Sequence, residues 1–303
     1  MGAHYIRTLL EEKYNVVSFS LSERVLTEFR VVIYYISLFI LPHPSRLNLD
    51  HDFKLSHSLL DPMTTLLSIG TVVGSIGLAF FTAKKHRLFS FCIFWFFGNL
   101  VIESSVIGLE IIFEHRTYLP SMLVSLVAVI LAYRYIKPKW LRVGVLCAVV
   151  MVFSLWTYER NSIWSDDVTL WKDCVAKSPK KARPHNNLGA ALEGQGRTKE
   201  AISHFSEALW IKPYDAQVHN NLGVALDEQG RTKEAISHYT EALRIAPNYQ
   251  VAHNNLGVAL AILGDFKKAR SHFSEALRIK PDDPEARRNL ERALQLMGES
   301  ARQ

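Results

Sequence analysis

Cysteine is scarce in this sequence: the chain of 303 residues contains three. Cys92 and Cys147 lie in apolar runs and Cys174 lies in a predicted helix, so no disulfide framework is inferred. A removable signal peptide is missing at Met1, and the first 24 residues resemble the interior of a longer domain. Asn-x-Ser/Thr acceptor sites for N-glycosylation are also missing, which favours a bacterial envelope over the ER lumen.

A charge surplus is missing from the C-terminal half of the chain. Residues 182–283 contain twelve Lys/Arg and twelve Asp/Glu, so the net charge of +6 lies outside them. Nucleic-acid binding requires a basic stripe or patch. We therefore exclude nucleic acid as a partner of this neutral segment.

The neutral segment is one 34-residue unit repeated three times without a gap, at 182–215, 216–249 and 250–283. Small residues at two helix crossings, an aromatic residue and a terminal proline recur at this period, which is typical of the tetratricopeptide repeat. Small residues let two antiparallel helices approach, and proline ends the second helix. The recurring residues are Leu188, Leu222 and Leu256; Gly189, Gly223 and Gly257; Ala201, Ala235 and Ala269; Phe205, Tyr239 and Phe273; Ala208, Ala242 and Ala276; and Pro213, Pro247 and Pro281.

The repeats are flanked by two incomplete units. Residues 159–181 are a linker and a degenerate half-repeat, with Ser165 or Asp166 as the predicted N-cap of its helix. Residues 284–303 form a capping helix, because Glu291 replaces the repeat glycine and the last residues are polar, as at the end of a solenoid.

The N-terminal half is apolar and predicts membrane helices. Four runs have the length and composition of spans, and a fifth has a shorter apolar core that favours an interfacial helix or a tilted span. We expect an all-α protein in which a transmembrane bundle of four or five helices (25–158) precedes the α-solenoid. The spans are 64–83, 88–109, 121–136 and 141–156, and the shorter segment is 25–41.

Basic residues are distributed unevenly between the connectors of these segments. The connectors 84–87 and 134–142 carry seven Lys/Arg, whereas 43–61 and 110–120 carry three. By the positive-inside rule, the first two face the cytosol, and the repeats are extracytoplasmic. The expected location is a multi-pass protein of the bacterial inner membrane with periplasmic repeats, or of the ER membrane with lumenal repeats.

A column of asparagines also follows the 34-residue period on the first helix of each pair. Side-chain amides supply donors and acceptors to an extended polypeptide, so the column predicts a peptide-binding groove. The alternative is that asparagine caps or faces solvent there, and that the copies agree because the duplication is recent. The column consists of Asn187, Asn221, Asn255 and Asn289.

Two histidine columns are equally periodic. Copies in successive units are too far apart for one metal ion to bridge them, so we interpret both columns as packing or surface residues and predict no metal site. The Asp50–His51–Asp52 triplet is likewise better explained as a solvated acidic loop than as a metal site.

A polar stretch lies at the predicted outer end of the 88–109 span. Glu103, Glu110 and Glu114 share one face if the helix continues outward, with His115 and Arg116 at its mouth. A carboxylate within the membrane requires a polar cavity or a partner, and the arginine fork is suited to a phosphate or carboxylate. Spacing alone leaves two interpretations open: a site for a lipid-linked phosphate, or an interfacial anchor in which Arg116 snorkels and Tyr118 joins the aromatic belt.

The order of motifs along residues 25–303 resembles a known family. The motifs are LPHPSRLNLDHDF, WFFGNLVIESSVIGLEIIFEHRTYLPS and WxxxxxLWKDCVxKSPxxARxHNNLG, followed by the repeats. The sequence is similar to the C-terminal half of membrane proteins with tetratricopeptide repeats that are related to O-mannosyltransferases. This resemblance implies a polyprenyl-phosphate sugar as donor substrate, no other cofactor, and Ser/Thr hydroxyls of a protein as acceptor. It also implies that Glu114, His115, Arg116 and Tyr118 help to form the lipid-phosphate end of the site.

The sequence departs from this family in one respect. Such enzymes carry their essential acidic residue, the presumed general base, in an outer loop after the first of several earlier spans. That loop precedes the region matched here, so sugar transfer by this sequence alone is not expected, and its catalytic residues are not assigned. Two functions stay open: the C-terminal part of a protein O-glycosyltransferase whose repeats bind acceptor polypeptide, or a non-enzymatic membrane scaffold that binds protein partners.

Overall fold

The computed structural model describes residues 20–103 and 128–300, and every regular element among them is a helix. The chain divides into two compact units, Met1–Ser162 and Ile163–Gln303. The first contains α1 (Leu21–Ile40), α2 (Thr64–Thr82), α3 (Arg87–Glu103) and α4 (Lys139–Ile163), a 3₁₀ turn at Pro44–Arg46, and helical residues at 128–135. The second contains α5 (Asp167–Lys177), α6 (Ala182–Gly194), α7 (Thr198–Ile211), α8 (Ala216–Glu228), α9 (Thr232–Ile245), α10 (Gln250–Ile262), α11 (Phe266–Ile279) and α12 (Pro284–Ser300).

Helix α1 organises the described part of the first unit. It begins with a capping box, in which Ser20 Oγ accepts from the backbone N–H of Glu23 and the Glu23 carboxylate accepts from that of Ser20. Its buried face, which includes Val31 and Tyr35, packs with Val72 of α2 and with α3. The segment predicted at 25–41 is therefore a packed helix.

The loop after α1 packs back onto that helix. The backbone N–H of Ser56 donates to Thr27 Oγ1 at 2.8 Å, and Arg30 donates to the carbonyl of Lys54 at 2.6 Å. Asp50 is 9% exposed, so the expectation of a solvated acidic loop is wrong at that residue. The reason is that the loop folds against α1 instead of extending into water.

Two of the described helices, α2 and α4, are long and apolar enough to cross a membrane. The apolar stretch of α4 has a mean hydropathy of 1.8, and none of it is buried by the residues that the structure describes. Helix α3 contains a shorter apolar segment, Arg87–Leu100. The predicted spans 88–109 and 121–136 fall partly outside the described residues, so the predicted bundle of four or five spans stays a prediction.

The second unit is the predicted solenoid. Helix α5 forms the half-repeat, with Asp166 as the N-cap, and α6–α7, α8–α9 and α10–α11 form the three repeats. Their first helices begin at Ala182, Ala216 and Gln250, which are the predicted unit boundaries. Helix α12 packs against α11 as the cap.

The two helices of each repeat approach most closely at a contact between a glycine and an aromatic ring. A Cβ added to Gly189 would lie 2.6 Å from Cε1 of Phe205, and at Gly223 it would lie 2.5 Å from Cε1 of Tyr239. Gly257 meets Phe273 in the same way. These distances are well inside van der Waals contact, so only glycine lets the two helices approach at this point.

The turn within each repeat also requires glycine. Gly196, Gly230 and Gly264 have φ values of 73°, 73° and 82°. In the first repeat, Gly196 N–H bonds to the Glu193 carbonyl and Arg197 N–H bonds to the Leu192 carbonyl, which is the Schellman arrangement. This turn ends the first helix and directs the chain into the second.

The curvature of the solenoid follows from which helices meet across repeats. The first helices of successive repeats approach one another, α6 with α8, α8 with α10 and α10 with α12. Within the described solenoid, the second helices of successive repeats approach each other less closely. The first helices therefore line the inner, concave side, which is where a solenoid presents its binding surface.

Candidate functional site

The asparagine column forms a ladder of hydrogen bonds along the concave side. Asn221 donates from Nδ2 to Oδ1 of Asn186 in the preceding unit at 3.1 Å. The same bond is repeated twice at 3.0 Å, from Asn255 to Asn220 and from Asn289 to Asn254. The predicted residues are therefore not isolated solvent-facing amides, because three of the four join successive units.

The acceptors of this ladder were not predicted from the sequence. Asn186, Asn220 and Asn254 are 8%, 4% and 5% exposed, and each lies directly before a predicted residue. The doubled Asn-Asn in every repeat was the signal that could have identified them. A single asparagine in each unit predicts a row of separate amides. Two adjacent asparagines allow the second one of a unit to donate to the first one of the preceding unit.

Part of the ladder's hydrogen-bonding capacity stays unused. The Nδ2 of Asn220 and the Oδ1 atoms of Asn221 and Asn255 make no side-chain hydrogen bond within the described residues. At the first repeat, Asn186 donates to Asn187 at 3.3 Å, and at the third, Asn254 donates to Glu285 at 3.1 Å. Asn220 is buried, whereas Asn221 and Asn255 are half-buried, so the Oδ1 atoms of these two residues are the ones open to a ligand.

Acidic side chains lie at the far end of the same helices. Glu193 of α6 faces Glu228 of α8, and Thr198 donates to Glu228 at 3.2 Å. Burial, and then the negative charge of Glu228, raise the pKa of Glu193 to about 7. Oε1 of Glu193 is buried and has no partner among the residues that the structure describes. The pKa of this carboxyl, at the C-terminal end of α6, therefore lies close to neutral pH.

The predicted lipid-phosphate residues are not brought together in the described structure. Glu103 is the last residue of α3. The other candidates, Glu110, Glu114, His115, Arg116 and Tyr118, lie outside the described residues. Their assignment stays a prediction from the sequence.

The repeats match known sequences over a defined range. A profile of the tetratricopeptide repeat family matches residues 226–294. Protein O-mannosyl-transferase Tmtc3 of Drosophila melanogaster is 26% identical over 163 residues, which covers 50% of this chain and 17% of that protein. Human protein O-mannosyl-transferase TMTC1 is 37% identical over 65 residues, covering 22% of this chain and 7% of that protein. The chain thus spans less than a fifth of the length of these relatives.

Several solved structures that match are tetratricopeptide domains. The first such domain of Spaghetti (RPAP3), bound to the HSP90 peptide SRMEEVD, has 23% identity and a TM-score of 0.39, covering 39% of this chain and 94% of that one. The Sgt2 domain of Aspergillus fumigatus has 22% identity and a TM-score of 0.39, covering 40% of this chain and 82% of that one. From the sequence and structure together, the chain carries tetratricopeptide repeats and is similar over part of its length to protein O-mannosyl-transferases.

Proposed function

We propose that the repeats bind an extended segment of polypeptide along the asparagine ladder. The observation that carries this proposal is the pair of unused side-chain oxygens, Oδ1 of Asn221 and of Asn255, on half-buried residues of the first helices. Side-chain amides hydrogen-bond the backbone of an extended chain, which supplies affinity with little sequence preference. The HSP90 peptide in the matching Spaghetti domain is consistent with a peptide ligand for this type of fold.

Gln217 provides a test of the groove. It is exposed and lies one turn before Asn220 and Asn221 on α8, so a larger side chain there covers the middle of the ladder. Random 12-residue peptides displayed on phage are selected on the full chain in detergent micelles. We expect Gln217→Arg to weaken the selected peptides at least ten-fold, and the matched change Ser237→Arg, at an exposed position of α9, to leave them unchanged.

Two results contradict groove binding. One is a selection that enriches no peptide over an empty-micelle control. The other is equal affinity of the two arginine variants for every selected peptide.

We further propose that the chain is anchored in a membrane and serves a lipid-linked-sugar-dependent protein O-glycosyltransferase, with the groove presenting acceptor polypeptide. Two candidate spans, α2 and α4, support the anchoring. The Tmtc3 similarity, 26% identical over 163 residues and 50% of this chain, supports the activity. On this proposal, Arg116 and its neighbours hold the polyprenyl phosphate, and the acidic residue that activates the acceptor comes from outside the matched region.

Arg116 tests the donor side without requiring turnover. A photoreactive polyprenyl phosphate is incorporated into vesicles that carry the full chain, and labelling of the protein is measured. We expect Arg116→Ala to reduce labelling at least ten-fold and Arg134→Ala, in the connector predicted on the other membrane face, to leave it unchanged. Equal labelling of both variants would favour the membrane scaffold over the glycosyltransferase.

A further inference from the structure

A group of acidic side chains lies at the C-terminal ends of the first helices of two repeats. Glu193 is the last residue but one of α6, and Asp227 and Glu228 are the last two residues of α8. The C-terminus of a helix carries a partial negative charge, which disfavours carboxylates and favours cations there. The three carboxylates therefore form a negative site, which we call the acidic site.

Several oxygen atoms of the acidic site are free. Thr198 Oγ1 donates to one oxygen of Glu228 at 3.2 Å, and Thr232 Oγ1 donates to one oxygen of Asp227 at 2.6 Å. The second oxygen of each carboxylate, and both oxygens of Glu193, make no hydrogen bond within the described residues. Oε1 of Glu193 is also buried, so bulk water does not satisfy it. The site therefore has acceptors to offer to a donor from outside the chain.

A buried tyrosine hydroxyl lies among these carboxylates. Tyr239 is 2% exposed and its ring packs against Gly223, yet its hydroxyl makes no hydrogen bond within the described residues. Burial, and then the negative charges of Asp227, Glu193 and Glu228, raise the pKa of this hydroxyl. A buried tyrosine hydroxyl usually has a hydrogen-bond partner. The free hydroxyl of Tyr239 is therefore a second, separate indication that a ligand completes the site.

The first two repeats differ mainly at this site. Residues 189–208 and 223–242 are aligned copies that differ at five positions, and three of these differences fall on the site. The three pairs are Glu193 and Asp227, Gly194 and Glu228, and Phe205 and Tyr239. The third repeat keeps the same glycine–aromatic contact with apolar side chains at all three positions, which are Ala261, Ile262 and Phe273. Packing of the repeat therefore does not require the polar groups of the acidic site.

The acidic site shares a helix face with the asparagine ladder. Glu193 lies seven residues after Asn186 on α6, and Glu228 lies seven residues after Asn221 on α8. Seven residues are almost two helical turns, so each carboxylate lies on the same side of its helix as the asparagine, about 10 Å further along the axis. A polypeptide on the ladder therefore lies about two turns from the acidic site.

The arrangement of the oxygens favours one kind of cation. Within the part of the chain that the structure describes, no three His, Cys, Asp or Glu side chains come close enough to hold a metal ion. The free oxygens are therefore spread out instead of being directed at one point. A guanidinium carries five N–H donors in a rigid plane and bonds separated oxygens at once, whereas a lysine ammonium is a compact point charge. The acidic site thus fits arginine.

We propose that the acidic site binds the guanidinium of an arginine in the polypeptide that occupies the groove. Glu228 is exposed and stands at the mouth of the site, whereas the buried oxygen of Glu193 and the hydroxyl of Tyr239 form its floor. The arginine adds a side-chain preference to the backbone binding of the ladder. The proposal rests on the proposed groove binding for the source of the arginine, and the two are tested separately.

Nα-acetylarginine methylamide tests the acidic site without the ladder. This probe and its neutral analogue, Nα-acetylcitrulline methylamide, are titrated onto the full chain in detergent micelles at pH 8, and saturation-transfer NMR gives the dissociation constants. We expect the arginine probe to bind at least ten-fold more tightly than the citrulline probe. Glu193→Gln should weaken the arginine probe at least ten-fold, because it removes one partner of a desolvated charge pair.

Glu207→Gln is the matched control for this variant. It changes the net charge equally, at an exposed position of α7, and should leave the affinity for the arginine probe unchanged. Equal affinity of the two probes for the wild type would overturn the proposal. So would equal affinity of the two glutamine variants for the arginine probe.

Tyr239→Phe tests the floor of the site. It removes only the hydroxyl, and phenylalanine occupies this position in the other two repeats, so the fold is kept. We expect the arginine probe to bind about three- to ten-fold more weakly and the citrulline probe to bind as before. An unchanged affinity for the arginine probe would contradict the assignment of Tyr239 to the site.

Peptides selected on the full chain separate this proposal from groove binding. We expect them to contain arginine, and its replacement by citrulline to weaken them at least ten-fold on the wild type but not on Glu193→Gln. Selected peptides that bind equally with arginine and citrulline would overturn the arginine site and leave groove binding intact. Binding of the arginine probe that depends on Glu193, together with no selected peptide, would contradict groove binding and support the acidic site as a guanidinium site.

Discussion

Replacing Gly223 with alanine is the most direct test of how the repeats pack. An added Cβ would lie 2.5, 2.8 and 3.0 Å from three ring carbons of Tyr239. Tyr239 is 2% exposed, so its ring has no free space into which to move. The substitution therefore either separates α8 from α9 or forces the tyrosine off its rotamer.

Two opposing terms set the magnitude. Alanine in a helix interior is favoured over glycine by about 1 kcal/mol. Overpacking a closely packed core costs about 1–3 kcal/mol, and contacts as short as 2.5 Å belong in the upper part of that range, about 2–3 kcal/mol. We expect a net loss of about 1–2 kcal/mol, and a decrease of roughly 4–8 °C in the melting temperature of the solenoid, at about 4 °C per kcal/mol for a unit of this size.

Gly194→Ala is the matched control. Gly194 ends α6, and an added Cβ there meets no atom within 4 Å, so the melting temperature should stay the same or increase slightly. The assay is thermal unfolding of the full chain in detergent, followed by circular dichroism at 222 nm. Gly223→Ala combined with Tyr239→Leu should lose less than the sum of the single changes, because the smaller side chain relieves the contact. Equal melting temperatures for the Gly223 and Gly194 variants would refute the close helix approach.

Three further changes test separate features, each by the same melting experiment. Gly230→Ala should lose about 1 kcal/mol, because its φ of 73° disfavours a Cβ, and Gly230→Asn should lose less; equal losses would contradict the turn assignment. Glu193→Gln should be more stable than the wild type at pH 8 by about 1–2 kcal/mol, after discounting for its partial exposure, and nearly equal to it at about pH 4. The sign follows because burial and then Glu228 raise the pKa of this carboxyl from 4.5 to about 7, so its stability contribution is full below 4.5 and is lost as the pH rises from there to about 7; a gain that is the same at both pH values would contradict it. Asn220→Ala should lose about 1–2 kcal/mol, since it leaves the amide of Asn255 without its acceptor, and an unchanged melting temperature would show that the ladder contributes nothing.

The solenoid was predictable because its contacts recur in the sequence. Glycine, aromatic and alanine at fixed offsets specify a close crossing, and the first helices begin at the predicted boundaries of the units. The capping helix was also predictable from the sequence, because Glu291 occupies the position at which the repeats have glycine. In both cases the prediction depends on one steric role: glycine permits the close helix crossing, and a larger residue at that position does not.

The side-chain contacts between elements were not predictable from periodicity. The hydrogen bond between the rings of His219 and His238 joins residues 19 apart across a turn, and helical spacing relates only residues on the same helix. The bond from Asn221 to Asn186 crosses a junction between units, so it depends on how the repeats stack. Hydropathy gave the extent of α2, predicted at 64–83 and observed at Thr64–Thr82, but not that of α4, which was predicted to end at 156 and continues to Ile163. The polar residues after 156 carry no hydropathy signal for a membrane span, although they continue the helix.

The asparagine ladder always points the same way: each unit donates to the one before it, from Asn221 to Asn186, from Asn255 to Asn220 and from Asn289 to Asn254. Every interior unit consequently carries one donor for its predecessor and one acceptor for its successor. A whole 34-residue copy inserted between two repeats would bring both halves of the bond and leave no junction unmatched. Gene duplication in complete units therefore lengthens the concave surface without any compensating substitution, whereas an insertion between two units that is not a whole number of copies interrupts the bond at that junction.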